Sequence, residues 1–187
     1  MIVDSNFTDG YNKLSFNLSL FFMNIFVLSE SPELAARQQV DKHVVKMVLE
    51  TAQLLSTCHR VLESQWANNL YRKTHVNHPC SIWVRESSGN YNWLYNHFLY
   101  LLDEYTYRYG KVHKCSMYKD ILSYNPAPKG ERTPFALAMP DQYRSECAVE
   151  SYRNYYVFEK YNLFKWTKRE RPDWIEKSLD NISMYVI

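Results

Sequence analysis

The chain has 187 residues, 46% hydrophobic and 22% charged, with a formal net charge of +2 at pH 7. These values exclude a disordered, collagen-like or low-complexity polymer and predict one domain with a sizeable core. The small positive balance permits a polyanionic partner without indicating one, because nucleic-acid binders show their charge as local patches.

Residues 1–22 precede a stretch, MNIFVLSESPELAA from Met23, that reads as a natural beginning. The expected organisation is therefore an upstream extension over 1–22 and a single helical domain over 23–187. The apolar run from Leu14 to Leu28 is too short, and too interrupted by Ser and Asn, to span a bilayer, so no membrane partner is expected. Ile25 to Leu28 suits a short extended segment. Ser31-Pro32-Glu33 is a helix entry, with a serine cap, proline in the first turn and an acid at the positive end. From there to about Leu62, apolar residues recur every three or four positions, which predicts one long amphipathic helix.

Glu63 to Thr74 reads as a linker or lid, and Asn77-His78-Pro79 as the cap of a short helix through Arg85. Ser87, Ser88 or Asn90 opens a second long helix that stops near Gly110. A further helix is expected over Ser116 to Ser123, a breaker-rich loop over Asn125 to Pro134, and a helix over Ala148 to Lys160. The charged tail, KWTKRERPDW, interleaves cations with Trp, as a phosphate-binding surface or a solvated terminus would. The four cysteines contain no C-x-x-C pair and read as reduced thiols in a cytosolic protein. The fold class is all-α, with antiparallel helices supplying the core.

On the first long helix, His43, Lys46 and Glu50 fall within roughly 60° of one another by the helical repeat. Gln39, Gln53 and Thr57 share that stripe, which abuts the apolar face. Such a boundary partly desolvates its side chains, a setting in which Glu50 would serve as a tuned acid or base with His43 and Lys46 beside it. The plain alternative is an ordinary i, i+4 ion pair between Lys46 and Glu50 and a half-buried histidine. His75 and His78 could join His43 and Glu50 in a metal site, although a capped turn explains the pair as well. Tyr105, Tyr107, Arg108 and Tyr109 with Lys111 could form a stacking surface; otherwise Tyr105 faces the core and the rest are exposed.

The segments DKHVVKMVLETAQ, NHP, EYTYRYGK, AMP and YRNYY, in that order, resemble a group of uncharacterised tailed-phage proteins. More remotely, the layout resembles the pyrimidine-dimer DNA glycosylases of the endonuclease V type. Asp41 and His43 match that family's D-x-H, Glu50 its catalytic carboxylate seven residues on, and Tyr109-Gly110 the end of its second helix. Tyr152 to Tyr156 match its aromatic cluster near the C-terminus.

The resemblance implies a compact all-α fold and a bifunctional glycosylase and abasic-site lyase needing neither cofactor nor metal. Its nucleophile would be an N-terminal α-amine. Glu50 would be the catalytic carboxylate, and His43 a positioning or phosphate-contacting group. Lys46 is a candidate catalytic amine, and Lys46, Arg153 and Lys160 are candidate phosphate contacts. Gln53, Tyr155 and Tyr156 complete the expected DNA-binding set.

The implied partner is double-stranded DNA with damaged or modified bases, acted on by a monomer in the cytoplasm of an infected host cell. The chain departs from the family at Asn24, where a Thr is usual, and at Leu49 and Gln53, which replace arginines. Two other classes stay open: a metal-assisted nucleotide- or nucleic-acid-processing enzyme, and a non-catalytic DNA- or protein-binding module.

Overall fold

In a computed structural model, the structure describes residues 23–184, with side chains through Ser178. The expected extension over 1–22 lies outside the described residues. Seven α-helices occur among the described residues, and no strand. The chain is all-α.

After residues 23–28, every one of which is buried, Ser31 caps α1 (Pro32–Arg37) by accepting a hydrogen bond from the Leu34 N–H. α2 (Asp41–Val61) follows after a break. The expected single helix from Ser31 to Leu62 is thus two helices. Tertiary partners take the backbone groups that would have continued it. The Asp41 N–H donates to the Lys165 carbonyl at 2.8 Å, and the Val40 N–H to the Tyr156 hydroxyl at 3.0 Å. The Arg108 guanidinium takes the carbonyls of Arg37 and Gln39. Local periodicity cannot report partners that lie so far along the chain.

His78 caps α3 (Pro79–Glu86), its Nδ1 accepting from the Cys80 N–H. Ser87 caps α4 (Ser88–Tyr109), which ends at Gly110 in the left-handed region at φ 66°. The expected helix over Ser116 to Ser123 is instead a 3-10 turn, Lys114–Tyr118, followed by α5 (Lys119–Leu122). α6 (Ala148–Lys160) has the expected bounds. α7 (Asp173–Met184), which the charged tail did not suggest, packs on α6.

The core forms where α4 meets α1 and α2, with α3 filling the angle between α2 and α4. Met47, Leu54 and Leu55 of α2 and Leu94, Phe98 and Leu101 of α4 are fully buried there. Removing such side chains from water is worth roughly 1.5–3 kcal/mol each. Ile25 and Leu28 add to the same core, but Phe26 between them has φ 41°, so this segment is a kinked insert and not a strand.

Candidate active site

α2 places Lys46 and Glu50 one turn apart at the edge of its buried face. Lys46 Nζ lies 2.8 Å from Glu50 Oε1, with the two side chains 56% and 7% exposed. The other carboxylate oxygen, Oε2, accepts the backbone N–H of Asn24 at 3.0 Å. The Glu50 carboxylate is nearly buried, and Lys46 carries the site to the surface.

Asn24 is itself held on all sides. Its Nδ2 donates to the Ala138 carbonyl at 2.8 Å, and its Oδ1 accepts from the N–H groups of Ile25 and Phe26. Residues 136–138 are fixed in turn by Tyr152, whose hydroxyl donates to the Ala136 carbonyl at 2.7 Å and accepts from the Ala138 N–H. Asn24 is a position at which the chain departs from the family, and Ala138 and Tyr152 fall in segments that carry the resemblance, but nothing in the sequence pattern joins them to one another or to Glu50.

His43 reaches the same segment from the preceding turn of α2. Its ring stacks on Phe26 at 4.4 Å, and Phe26 stacks in turn on Tyr155 at 6.2 Å. A bulky residue with positive φ is strained, and here the two flanking rings hold it. The Tyr156 hydroxyl accepts the Val40 N–H at 3.0 Å and shares a 2.7 Å hydrogen bond with His43 Nδ1. Burial, helped by the positive charges of Lys160 and Lys46, holds His43 down to about 3. A buried neutral imidazole suits positioning and does not suit the phosphate contact expected of it.

The remaining expected residues divide. Gln53 is half-buried on α2 one turn beyond Glu50. Lys160 lies with its Nζ 4.6 Å above the Tyr155 ring. Arg153, expected to grip phosphate, donates to the Leu28 carbonyl and covers Trp174. Tyr155 and Tyr156, expected at the DNA surface, are buried.

The proposed metal set is not assembled. No group of three His, Cys, Asp or Glu side chains among the described residues could hold a metal ion. His43, Glu50, His75 and His78 therefore do not form one site. His78 instead caps α3, and His75 contacts the Thr74 hydroxyl.

The tyrosine-rich end of α4 and the basic tail close on each other. Arg108 is fully buried, not exposed, and contacts Glu104, Asp41 and two carbonyls. Arg169 pairs with Glu104 and lies over the exposed Tyr107 ring. Asp41 accepts from both the backbone and the side chain of Thr167, and these bonds with Arg108 hold its carboxyl below the usual range despite burial. The D-x-H motif therefore has a structural first residue, Asp41, and a site-facing last one.

The model of the pyrimidine dimer DNA glycosylase family matches residues 23–117. This chain belongs to that family. The matched segment begins at the residue before Asn24 and carries α1 to α4, hence both partners of the Asn24–Glu50 contact. No curated protein and no solved structure matches the chain. Membership implies DNA as substrate and a glycosylase-type function in general. No helix among the described residues is long and apolar enough to cross a membrane.

Proposed function

We propose that the protein removes damaged pyrimidines from double-stranded DNA and cleaves the resulting abasic site by amine chemistry centred on Glu50. The observation that carries this reading is one nearly buried carboxylate, at the family's spacing from His43, in contact with two nitrogens. Cleavage of a glycosidic bond builds positive charge on the sugar, and a carboxylate fixed in a low-dielectric place stabilises that charge. The same group then moves protons during ring opening and strand cleavage. His43, neutral and clamped by Tyr156, keeps Phe26 and the Asn24 segment in register with Glu50.

Residues from Met23 onward form the catalytic domain in this reading. Lys46, Gln53 and Lys160 are left to meet the DNA backbone, whereas Arg153, Tyr155 and Tyr156 act from within as scaffold. The target nucleotide must leave the stack for its C1′ to approach Glu50.

The test is turnover on a duplex carrying a single pyrimidine dimer, compared with Glu50→Gln. The substitution is expected to lower turnover by about 10²–10⁴-fold while affinity for the same duplex is retained. Unchanged turnover in this variant would remove Glu50 from the chemistry. Failure of the unaltered protein to act on any damaged duplex would overturn the reading as a whole.

A further inference from the structure

The proposal above leaves open which nitrogen attacks the sugar. We propose that it is Nζ of Lys46, a choice that rests on the glycosylase reading and names its nucleophile. Two nitrogens touch Glu50, and they differ in kind. That of Asn24 is a peptide nitrogen behind Met23. Its lone pair is delocalised into the carbonyl, its proton is committed to Oε2, and its residue is 2% exposed. Lys46 offers a primary amine at 2.8 Å from Oε1 on a side chain that is 56% exposed.

Lys46 is also distinct from the other lysines. Among the described residues it is the one lysine ion-paired with a carboxylate; the other pairs all use arginine. Lys160 sits over a tyrosine ring, and Lys168 donates to the Tyr107 carbonyl. Arginine cannot be deprotonated at ordinary pH, whereas a lysine beside a proton acceptor can become the neutral nucleophile. The flexible stem of Lys46 lets Nζ leave Oε1 for a sugar carbon without moving α2. Its i, i+4 step from Glu50 keeps base and nucleophile together.

The steps balance without an oxidant or reductant. Glu50 takes one proton from the Lys46 ammonium, and the freed nitrogen pair bonds to C1′ as the C1′–base bond breaks. The base leaves with that bond's electrons and takes the proton that the nitrogen, now a secondary ammonium, must lose. The lone pair so restored expels O4′ from C1′, and Glu50 returns its proton to O4′, leaving an iminium. Glu50 next removes a C2′ proton, the 3′ phosphate departs with its bonding pair, and water hydrolyses the iminium to release Lys46.

The experiment uses the full chain, a duplex with one abasic site, and borohydride to reduce the iminium, followed by digestion and mass mapping. The expected adduct is on the peptide bearing Lys46. Lys46→Arg and Lys46→Gln are expected to reduce trapping to background, the arginine variant while retaining affinity for the duplex, with melting temperatures unchanged because the side chain is largely in water. An adduct on the amine of Asn24 or Met1, or equal trapping by the variants, overturns the assignment.

The two levels of the proposal fail differently. Excision by the unaltered protein with no trapped adduct rejects Lys46 and leaves the base-removing reading standing. Absence of both excision and trapping rejects both.

Discussion

Oε2 of Glu50 and the backbone nitrogen of Asn24 are 3.0 Å apart, so a helix carboxylate satisfies an N–H donated from 26 residues upstream. This bond sits in a buried place, and its two ends can be separated by mutation. In Glu50→Gln the amide oxygen still accepts the Asn24 N–H, and the lost pairing with half-exposed Lys46 is worth little after solvent screening. In Glu50→Leu the N–H is left buried without an acceptor, which costs roughly 1–3 kcal/mol. Urea unfolding should therefore rank the leucine variant below the glutamine variant by about that amount. Equal stabilities would mean that the Asn24 contact contributes nothing to the fold.

Arg108 makes the opposite kind of bond, one that stabilises and has no place in the chemistry. Its guanidinium is fully buried among Glu104, Asp41 and the carbonyls of Arg37 and Gln39. Arg108→Met strands these groups and should cost roughly 3–5 kcal/mol. Glu33→Gln breaks the half-exposed Arg37–Glu33 pair on α1 and should cost under about 0.5 kcal/mol. If the two variants unfold at similar denaturant concentrations, the network at the α1–α2 break is not what holds it.

That network also marks the limit of what the chain discloses by itself. The bounds of α6, the Ser87 cap and the Gly110 stop were legible because their signals are local: a cap side chain, a periodic stripe, a residue able to take positive φ. The break at residues 38–40 was not, since Tyr156, Lys165 and Arg108 impose it from distant positions. Glu50, His43 and Lys46 were legible as a stripe on one helix. The contacts of Asn24, Phe26 and Tyr152 were not, because they depend on a buried segment threading between α2 and α6. The tyrosines of α6 misled for a related reason: an amphipathic ring suits a core as well as a base stack, and burial decides between them only in three dimensions.

Gly89 provides a test of how the breaker-rich loop docks on α4. The first-turn N–H groups of Ser88 and Gly89 donate to the carbonyls of Pro128 and Gly130, so the loop caps the helix. A Cβ at Gly89 would lie 2.3 Å from the Arg132 nitrogen, a backbone atom that cannot swing aside. Gly89→Ala should therefore cost more than the roughly 1–3 kcal/mol of ordinary overpacking and speed hydrogen exchange at residues 130–133. Gly110→Ala meets open space and loses only the ease of its positive φ, about 1 kcal/mol. A smaller effect at Gly89 than at Gly110 would show that the loop is loosely held.

Three histidines set how the protein responds to acid. Burial holds His43 at about 3 and His59 and His97 at about 4, against an ordinary value of 6.5. Their hydrogen bonds agree with neutral rings: the Tyr91 hydroxyl donates to the Leu122 carbonyl and so accepts from His59, and His97 Nδ1 donates to the Pro32 carbonyl. In the unfolded chain each binds a proton below about pH 6.5, whereas in the fold each resists it until about pH 4 or lower. The sign is therefore fixed. Their contribution is fully present above pH 6.5 and is lost as pH falls, by up to about 1.4 kcal/mol per pH unit for each ring. Unfolding at pH 5 should take up close to one proton per ring, measurable as the pH slope of the urea unfolding free energy, and His43→Gln should remove about one proton from that slope. A stability profile flat between pH 7 and 5, or a His43 resonance that titrates near 6.5, would show the imidazole to be solvated and the Phe26–His43–Tyr156 packing to be open.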